Sequence, residues 1–197
     1  MSHTYLDPLE QSWIKYYSNI PENVKINQTD FEILWNLHPE EKGKVKIMGK
    51  QLETPRWQQA YGISYSFSGT VNNALPIPPM IQKFIDWANL KEDSDDIFNM
   101  ALVNWYLNGD HYIGHHSDDE RQLIKESSIY CFSFGADRDF ILKNKTTKEN
   151  TKICLNDNSL IIMGGKCQKT HTHSIPKRKK INDRRISITL RKFKNIE

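Results

Sequence analysis

Ser128-Ile129-Tyr130-Cys131-Phe132-Ser133-Phe134 sets Ile129, Cys131 and Ser133 on one side of the chain and Ser128, Tyr130 and Phe132 on the other. A two-residue period is the period of a strand, and its apolar members suit a pleated, half-buried surface. Gly135 ends the run. Short runs rich in Ile, Phe and Leu follow at 139–143, 152–155, 159–163 and 185–193, separated by Asn156-Asp157-Asn158 and Gly164-Gly165. Upstream, 97–107 is aromatic-rich and reads as extended. Many short strands joined by polar turns predict a sandwich or barrel from about residue 97 onward.

The first half reads differently. Residues 29–38 predict a helix that Thr29 or Asp30 caps, with Phe31, Leu34, Trp35 and His38 on one face. A second helix is predicted over 78–89: its prolines sit in the first turn, and Met80, Ile81, Phe84, Ile85 and Ala88 recur at helical spacing. Residues 1–28 carry no assignable pattern. The fold class expected is therefore mainly β with flanking helices (α+β).

With 197 residues, 38% hydrophobic and 26% charged, the chain suits one globular domain. No apolar run is long enough to span a bilayer, and the N-terminus has neither a basic nor an apolar leader region. A location in the nucleus or cytoplasm is expected, not secretion and not a membrane. Cys131, Cys154 and Cys167 then read as reduced thiols. The net charge of +3 is uneven: residues 166–194 hold 11 Lys/Arg against the single acid Asp183. Such a run suits a polyanion, and equally a solvated face.

His116-Ser117-Asp118 puts an imidazole and a carboxylate two residues apart, so both side chains point to one side of an extended segment. His173 supplies a distant second imidazole. Two His and one carboxylate form a facial triad that holds Fe(II) and leaves positions free. The same donors suit a catalytic zinc, and an H-x-D also arises by chance. A downstream guanidinium, Arg185 or Arg191, favours iron with a carboxylate co-substrate, because the fork pairs a carboxylate with two parallel hydrogen bonds.

At this point several ordered motifs resemble one family. Asn104-Trp105-Tyr106-Leu107-Asn108-Gly109-Asp110, followed by Ile113-Gly114-His115-His116-Ser117-Asp118-Asp119-Glu120, resembles the iron-binding signature of the AlkB dioxygenases. Ser133-Phe134-Gly135-Ala136-Asp137-Arg138-Asp139-Phe140 is similar to the next strand pair, and His173-Ser174-Ile175-Pro176 with Arg184-Arg185-Ile186-Ser187-Ile188-Thr189-Leu190-Arg191 to the distal motif. Pro55-Arg56-Trp57-Gln58-Gln59-Ala60-Tyr61-Gly62 and Tyr65-Ser66-Phe67-Ser68-Gly69 are similar to its substrate-side segment. The resemblance runs from about Val45 to Lys192 and is nearest to the eukaryotic DNA-repair homologues 2 and 3.

The resemblance implies a double-stranded β-helix (jelly-roll) core over about 97–193, preceded by an N-terminal extension and nucleotide-recognition region over about 1–96, in a single domain 1–197. It implies Fe(II), 2-oxoglutarate and O2 as cofactors, with His116, Asp118 and His173 as iron ligands. Arg185 and Arg191 are then expected to hold the 2-oxoglutarate carboxylates, with Asn104, Tyr106 and Thr189 donating hydrogen bonds. Trp105, where the family carries an arginine, is expected on the outer side of its strand with little effect on the site.

The implied reaction oxidises 2-oxoglutarate to succinate and CO2 and hydroxylates a methyl on a ring nitrogen, which leaves as formaldehyde. 1-Methyladenine and 3-methylcytosine in alkylated DNA, single- or double-stranded, are the expected substrates. An RNA demethylase, a protein hydroxylase and a non-catalytic nucleic-acid binding module are the alternatives. Asp119 is expected to face the cationic base, Tyr65 and Phe67 to frame it once flipped, and Met48 to act as the wedge in the base stack. Lys177, Arg178, Lys179, Lys180 and Arg56 are expected on phosphates. The protein is expected to act as a monomer.

Overall fold

The structure is a computed structural model that describes residues 1–9, 11–47, 49–67 and 70–194. In chain order the strands and helices are β1 (Ser2–Tyr5), β2 (Ser12–Tyr17), α1 (Gln28–Trp35), β3 (Lys44–Ile47), β4 (Lys50–Glu53), β5 (Trp57–Tyr61), β6 (Tyr65–Phe67), β7 (Thr70–Asn72), β8 (Ala74–Leu75), α2 (Pro79–Asn89), β9 (Met100–Tyr106) and β10 (Ile113–His116). There follow β11 (Ile129–Gly135), β12 (Arg138–Asn144), β13 (Asn150–Leu155), β14 (Ser159–Gly165), α3 (Cys167–Thr170), β15 (His171–Ile175) and β16 (Arg185–Arg191).

An eight-stranded sheet in the order β1-β2-β14-β11-β16-β9-β5-β8 faces a four-stranded sheet in the order β10-β15-β12-β13. The alternation of each strand divides two cores. From β9, β11 and β16, the side chains Val103, Trp105, Phe132, Phe134, Ile186, Ile188 and Leu190 pack outward on Phe31, Leu34 and Trp35 of α1 and Ile81, Phe84 and Ile85 of α2. Met100, Leu102, Tyr106 and Cys131 turn the other way, toward Phe140, Leu142, Leu155 and Ile175 of the smaller sheet. The jelly-roll core expected from the resemblance is this pair of sheets, and polar side chains on its inner faces converge between them. Among the described residues, no helix is long and apolar enough to cross a membrane.

Three expectations change. The cap of α1 is Asn27: its side chain accepts from the Asp30 N–H at 2.9 Å, and the Asp30 carboxylate accepts from the Asn27 N–H at 3.3 Å. This reciprocal box starts the helix earlier than Thr29, and the helix stops before His38, which stacks on Trp57 instead. Residues 1–28 are not featureless: β2 pairs with β14 and carries the large sheet outward to β1. Gly164 lies within β14, and a Cβ there would come 2.0 Å from the Trp13 ring across the pair. Trp105 is turned away from the site, as expected, but is fully buried, with its indole N–H on the Leu34 carbonyl at 2.9 Å. It anchors α1 to the sheet.

Candidate metal centre and its two chambers

β10 and β15 lie side by side with His116 directly opposite His173, and Asp118 follows in the loop after β10. One ligand atom from each of the three lies within 4.8 Å of the others. His116 Nδ1 is 2.9 Å from the Gly114 carbonyl, which only accepts, so Nδ1 carries the proton and Nε2 keeps its lone pair. Nε2 of His116 stands 3.8 Å from Asp118 Oδ1, and Nε2 of His173 stands 3.9 Å from Asp118 Oδ2. The His173 ring is stacked on Phe140. The Asp118 N–H donates to Gln168 Oε1, and Ser117 Oγ donates to the His171 carbonyl, both at 2.9 Å; together these fix the loop.

Burial lowers the pKa of both imidazoles, that of His173 to about 3 with His116 adding to the effect. Burial raises the Asp118 carboxyl, but Arg191 and the two histidines outweigh it and hold it below the usual range. Neutral imidazoles beside an ionised carboxylate are the protonation states that metal ligation requires. Asp118 Oδ2 is buried with no hydrogen-bond partner among the described residues, an acceptor that a cation would satisfy. The three residues therefore fit a divalent metal.

Behind the triad is a narrow inner chamber of about 40 Å³, lined by Asn104, Tyr106, Arg185, Thr189 and Arg191. Arg185 is 1% exposed. Its Nε donates to Ser133 Oγ at 2.9 Å, its guanidinium lies 4.9 Å from the Tyr106 ring, and its Nη1 has no hydrogen-bond partner among the described residues. No acid lies within ion-pair reach of it among the described residues, so a buried cation faces the chamber uncompensated. Arg191 lines the same chamber and, unlike Arg185, has acids beside it. It donates to Asp118 at 2.5 Å and forms an ion pair with Glu120 at 3.0 Å, so its charge is already matched. Thr189 Oγ1 donates to Cys131 Sγ at 3.6 Å.

In front of the triad an outer chamber of about 310 Å³ shares Leu102, Ile113, His116, Asp118 and Arg191 with the inner one. Glu120 lines it; Asp119 does not. Asp119 is exposed and borders a neighbouring cavity with Lys125, Lys145 and Lys169, which Asp118 and Glu120 also line. The loop after Asp118 turns Glu120 inward onto Arg191. Burial raises the Glu120 carboxyl, Asp118 adds to this, and Arg191 opposes it.

Arg56 is not at a phosphate-facing surface. It is 7% exposed and lines the outer chamber, with Nε on Asn104 Oδ1 at 2.6 Å and Nη2 on Gln58 Oε1 at 3.0 Å. Tyr65 is 3% exposed and has the Arg191 guanidinium 5.7 Å from its ring. Met48 and the Phe67 side chain lie outside the described residues. In the basic run, Arg178 is held by Asp139, its Nε donating at 2.6 Å, whereas Lys177, Lys179 and Lys180 are exposed. Lys177 Nζ lies over the Tyr112 ring at 5.0 Å, at the lip of the outer chamber.

Sequence reasoning missed Glu120, Gln58 and Arg138. Arg138 is 1% exposed, stacks on Tyr106 at 5.5 Å and donates to the carbonyls of Asn108, His111 and Pro176. It ties the loop before β10 to the segment that leads into the basic run. A further cavity of about 540 Å³, at the start of α1 beside Asn27, Gly135 and Asp183, contains none of these residues.

Residues 13–191 match the family model described as the 2OG-Fe(II) oxygenase superfamily. The chain is 36% identical over 161 residues to the DNA oxidative demethylase ALKBH2 of Mus musculus, covering 76% of this chain and 66% of that protein. Against its Homo sapiens counterpart it is 33% identical, with 76% and 61% covered. It is also 33% identical over 111 residues to the Homo sapiens alpha-ketoglutarate-dependent dioxygenase alkB homolog 3, covering 52% of this chain and 39% of that protein. The chain thus spans less than two thirds of the length of these curated relatives. The solved structure of OsALKBH1 superposes with a TM-score of 0.59 over 96% of this chain and 100% of that one; at 16% identity this likeness concerns the fold.

Proposed function

Because the chain belongs to the 2OG-Fe(II) oxygenase superfamily and stands close to AlkB homologues 2 and 3, we propose that it is an Fe(II)- and 2-oxoglutarate-dependent demethylase of alkylated DNA bases. The observation that carries this reading is Arg185, a buried guanidinium that has no acid of its own among the described residues and stands beside a His-Asp-His triad. A zinc hydrolase has no use for such a cation; a co-substrate with a far carboxylate does.

His116, Asp118 and His173 would hold the iron, and Arg185 the distal carboxylate of 2-oxoglutarate. Tyr106 packs against that guanidinium and orients it, while Asn104 and Thr189 supply polar groups along the chamber. The inner chamber is tight, so side chains around Arg185 must give way as the co-substrate enters. When bound, iron with 2-oxoglutarate and O2 supplies the oxidation that hydroxylates an N-methyl group, which is then lost as formaldehyde. The chain's own part is to position the two substrates and keep bulk water out.

The outer chamber suits a flipped base, because a base within a duplex cannot reach a metal buried between two sheets. The chamber's acids Asp118 and Glu120 are matched in number by Arg56 and Arg191, and Glu120, which is not a metal ligand, is the carboxylate that a cationic base such as 1-methyladenine or 3-methylcytosine would meet there. Lys177, Lys179 and Lys180 are exposed, Lys177 against Tyr112 of that chamber, and would meet phosphates. All the ligands come from one chain, which suits a monomer, and DNA repair suits the nucleus. The test is formaldehyde release from 1-methyladenine and 3-methylcytosine in single-stranded DNA, double-stranded DNA and RNA. Release from DNA with all three cofactors present is expected, and its absence on every DNA substrate would contradict the reading.

One consequence concerns binding alone. Lys179→Ala with Lys180→Ala is expected to weaken binding to methylated and unmethylated oligonucleotides alike. The slope of log K against log salt should become shallower by about one for each phosphate no longer neutralised. Fluorescence anisotropy at several salt concentrations measures it, and an unchanged slope would remove these lysines from the interface.

A further inference from the structure

Asn104 lines the inner chamber, Gln58 lines the outer one, and Arg56 lies between them. Its Nε donates to Asn104 Oδ1 at 2.6 Å, its Nη2 to Gln58 Oε1 at 3.0 Å and its Nη1 to the Tyr112 carbonyl at 3.4 Å. Gln58 Nε2 in turn donates to Asn72 Oδ1 at 3.0 Å, on β7. A carboxamide can face a neighbour with either its oxygen or its nitrogen, and the choice is set by what it meets. Guanidinium offers only donors. Arg56 therefore obliges Asn104 and Gln58 to turn their oxygens toward it and their NH2 groups away. For Asn104, away is the side left to the co-substrate; for Gln58 it is toward the substrate-side hairpin. Arg56 is buried, and no carboxylate lies within ion-pair reach of it among the described residues, so its bonds to these neutral acceptors carry the whole of its compensation.

We propose that Arg56 is a positioning residue for 2-oxoglutarate: it sets the amide polarity of Asn104 so that Nδ2 donates into the inner chamber, and it links that setting to Gln58 and Asn72 on the nucleic-acid side. This rests on the reading that the inner chamber takes 2-oxoglutarate. A donor–acceptor chain is polarised along its length, so an acceptor on Asn104 Nδ2 strengthens the Arg56–Asn104 bond, and losing the anchor at Gln58 weakens it.

The test is a calorimetric titration of 2-oxoglutarate into the full chain loaded with Mn(II), with no nucleic acid and no turnover. Arg56→Gln, which lets the Asn104 amide turn over, is expected to raise the 2-oxoglutarate Kd about tenfold, the size of one hydrogen bond to a charged group. Gln58→Leu, which lies outside the inner chamber, is expected to raise it about threefold. Both effects should vanish in an Asn104→Ala background, because the two changes act through that amide. A variant that only loosened the fold would instead add its full effect to Asn104→Ala. Unchanged affinity in both variants, or additive effects, would overturn the inference while leaving the co-substrate reading intact. Failure of the unmodified protein to bind 2-oxoglutarate would overturn both.

Discussion

Asp118→Ala is expected to eliminate formaldehyde release and to destabilise the metal-free protein at the same time. The carboxylate is at once a corner of the triad and the close partner of Arg191, which is itself 3% exposed. Loss of an iron ligand removes the positioning of both substrates, so turnover should fall by about 10³-fold or more. Loss of the anion leaves Arg191 sharing only Glu120, and breaking one side of a buried pair costs about 3 kcal/mol. Asp118→Asn keeps the shape but not the charge and should show most of both effects. Urea unfolding of the metal-free protein, beside a formaldehyde assay, measures the two together. Retained turnover in Asp118→Ala would show that the triad is not the reacting centre.

Arg185→Met is expected to do the reverse to stability. Among the described residues the wild-type guanidinium is buried with one hydrogen bond to Ser133 and no acid, so an apolar side chain of similar length should leave the metal-free protein as stable or make it more so. Affinity for 2-oxoglutarate should fall by about two orders of magnitude, because the charge-assisted fork onto its carboxylate is gone. Arg185→Lys retains charge without the fork and should recover only part of that affinity. Titration of 2-oxoglutarate into Mn(II)-loaded protein, with urea unfolding alongside, separates the two effects. Strong destabilisation with unchanged affinity would make Arg185 a structural residue.

These two variants also mark how far the residues alone could be read. The strands after residue 97 were legible because each alternates between a helix-covered face and an inner face, as Phe132 and Cys131 do. The triad was legible because His116 and Asp118 are close in sequence and the distal motif carries His173. The pairing of β2 with β14 was not, since the strand's partner is more than a hundred residues away and its apolar pattern is short. Arg185 and Arg191 look equivalent as letters, and only the fold reveals that Asp118 and Glu120 neutralise one of them. The choice between Asp119 and Glu120 depended on how the loop after Asp118 turns, which a strand rhythm does not extend to. Arg56 reads as a surface cation in sequence, yet Asn104, Gln58 and Tyr112 give it acceptors enough to be buried.

The most direct measurement is a crystal structure of the protein with Mn(II) and 2-oxoglutarate, with the metal located by its anomalous signal. A single peak bound by His116 Nε2, Asp118 and His173 Nε2, with the distal carboxylate of 2-oxoglutarate forked onto Arg185, is the predicted result. A peak elsewhere, or a co-substrate that leaves Arg185 unpaired, would contradict the assignment of this centre.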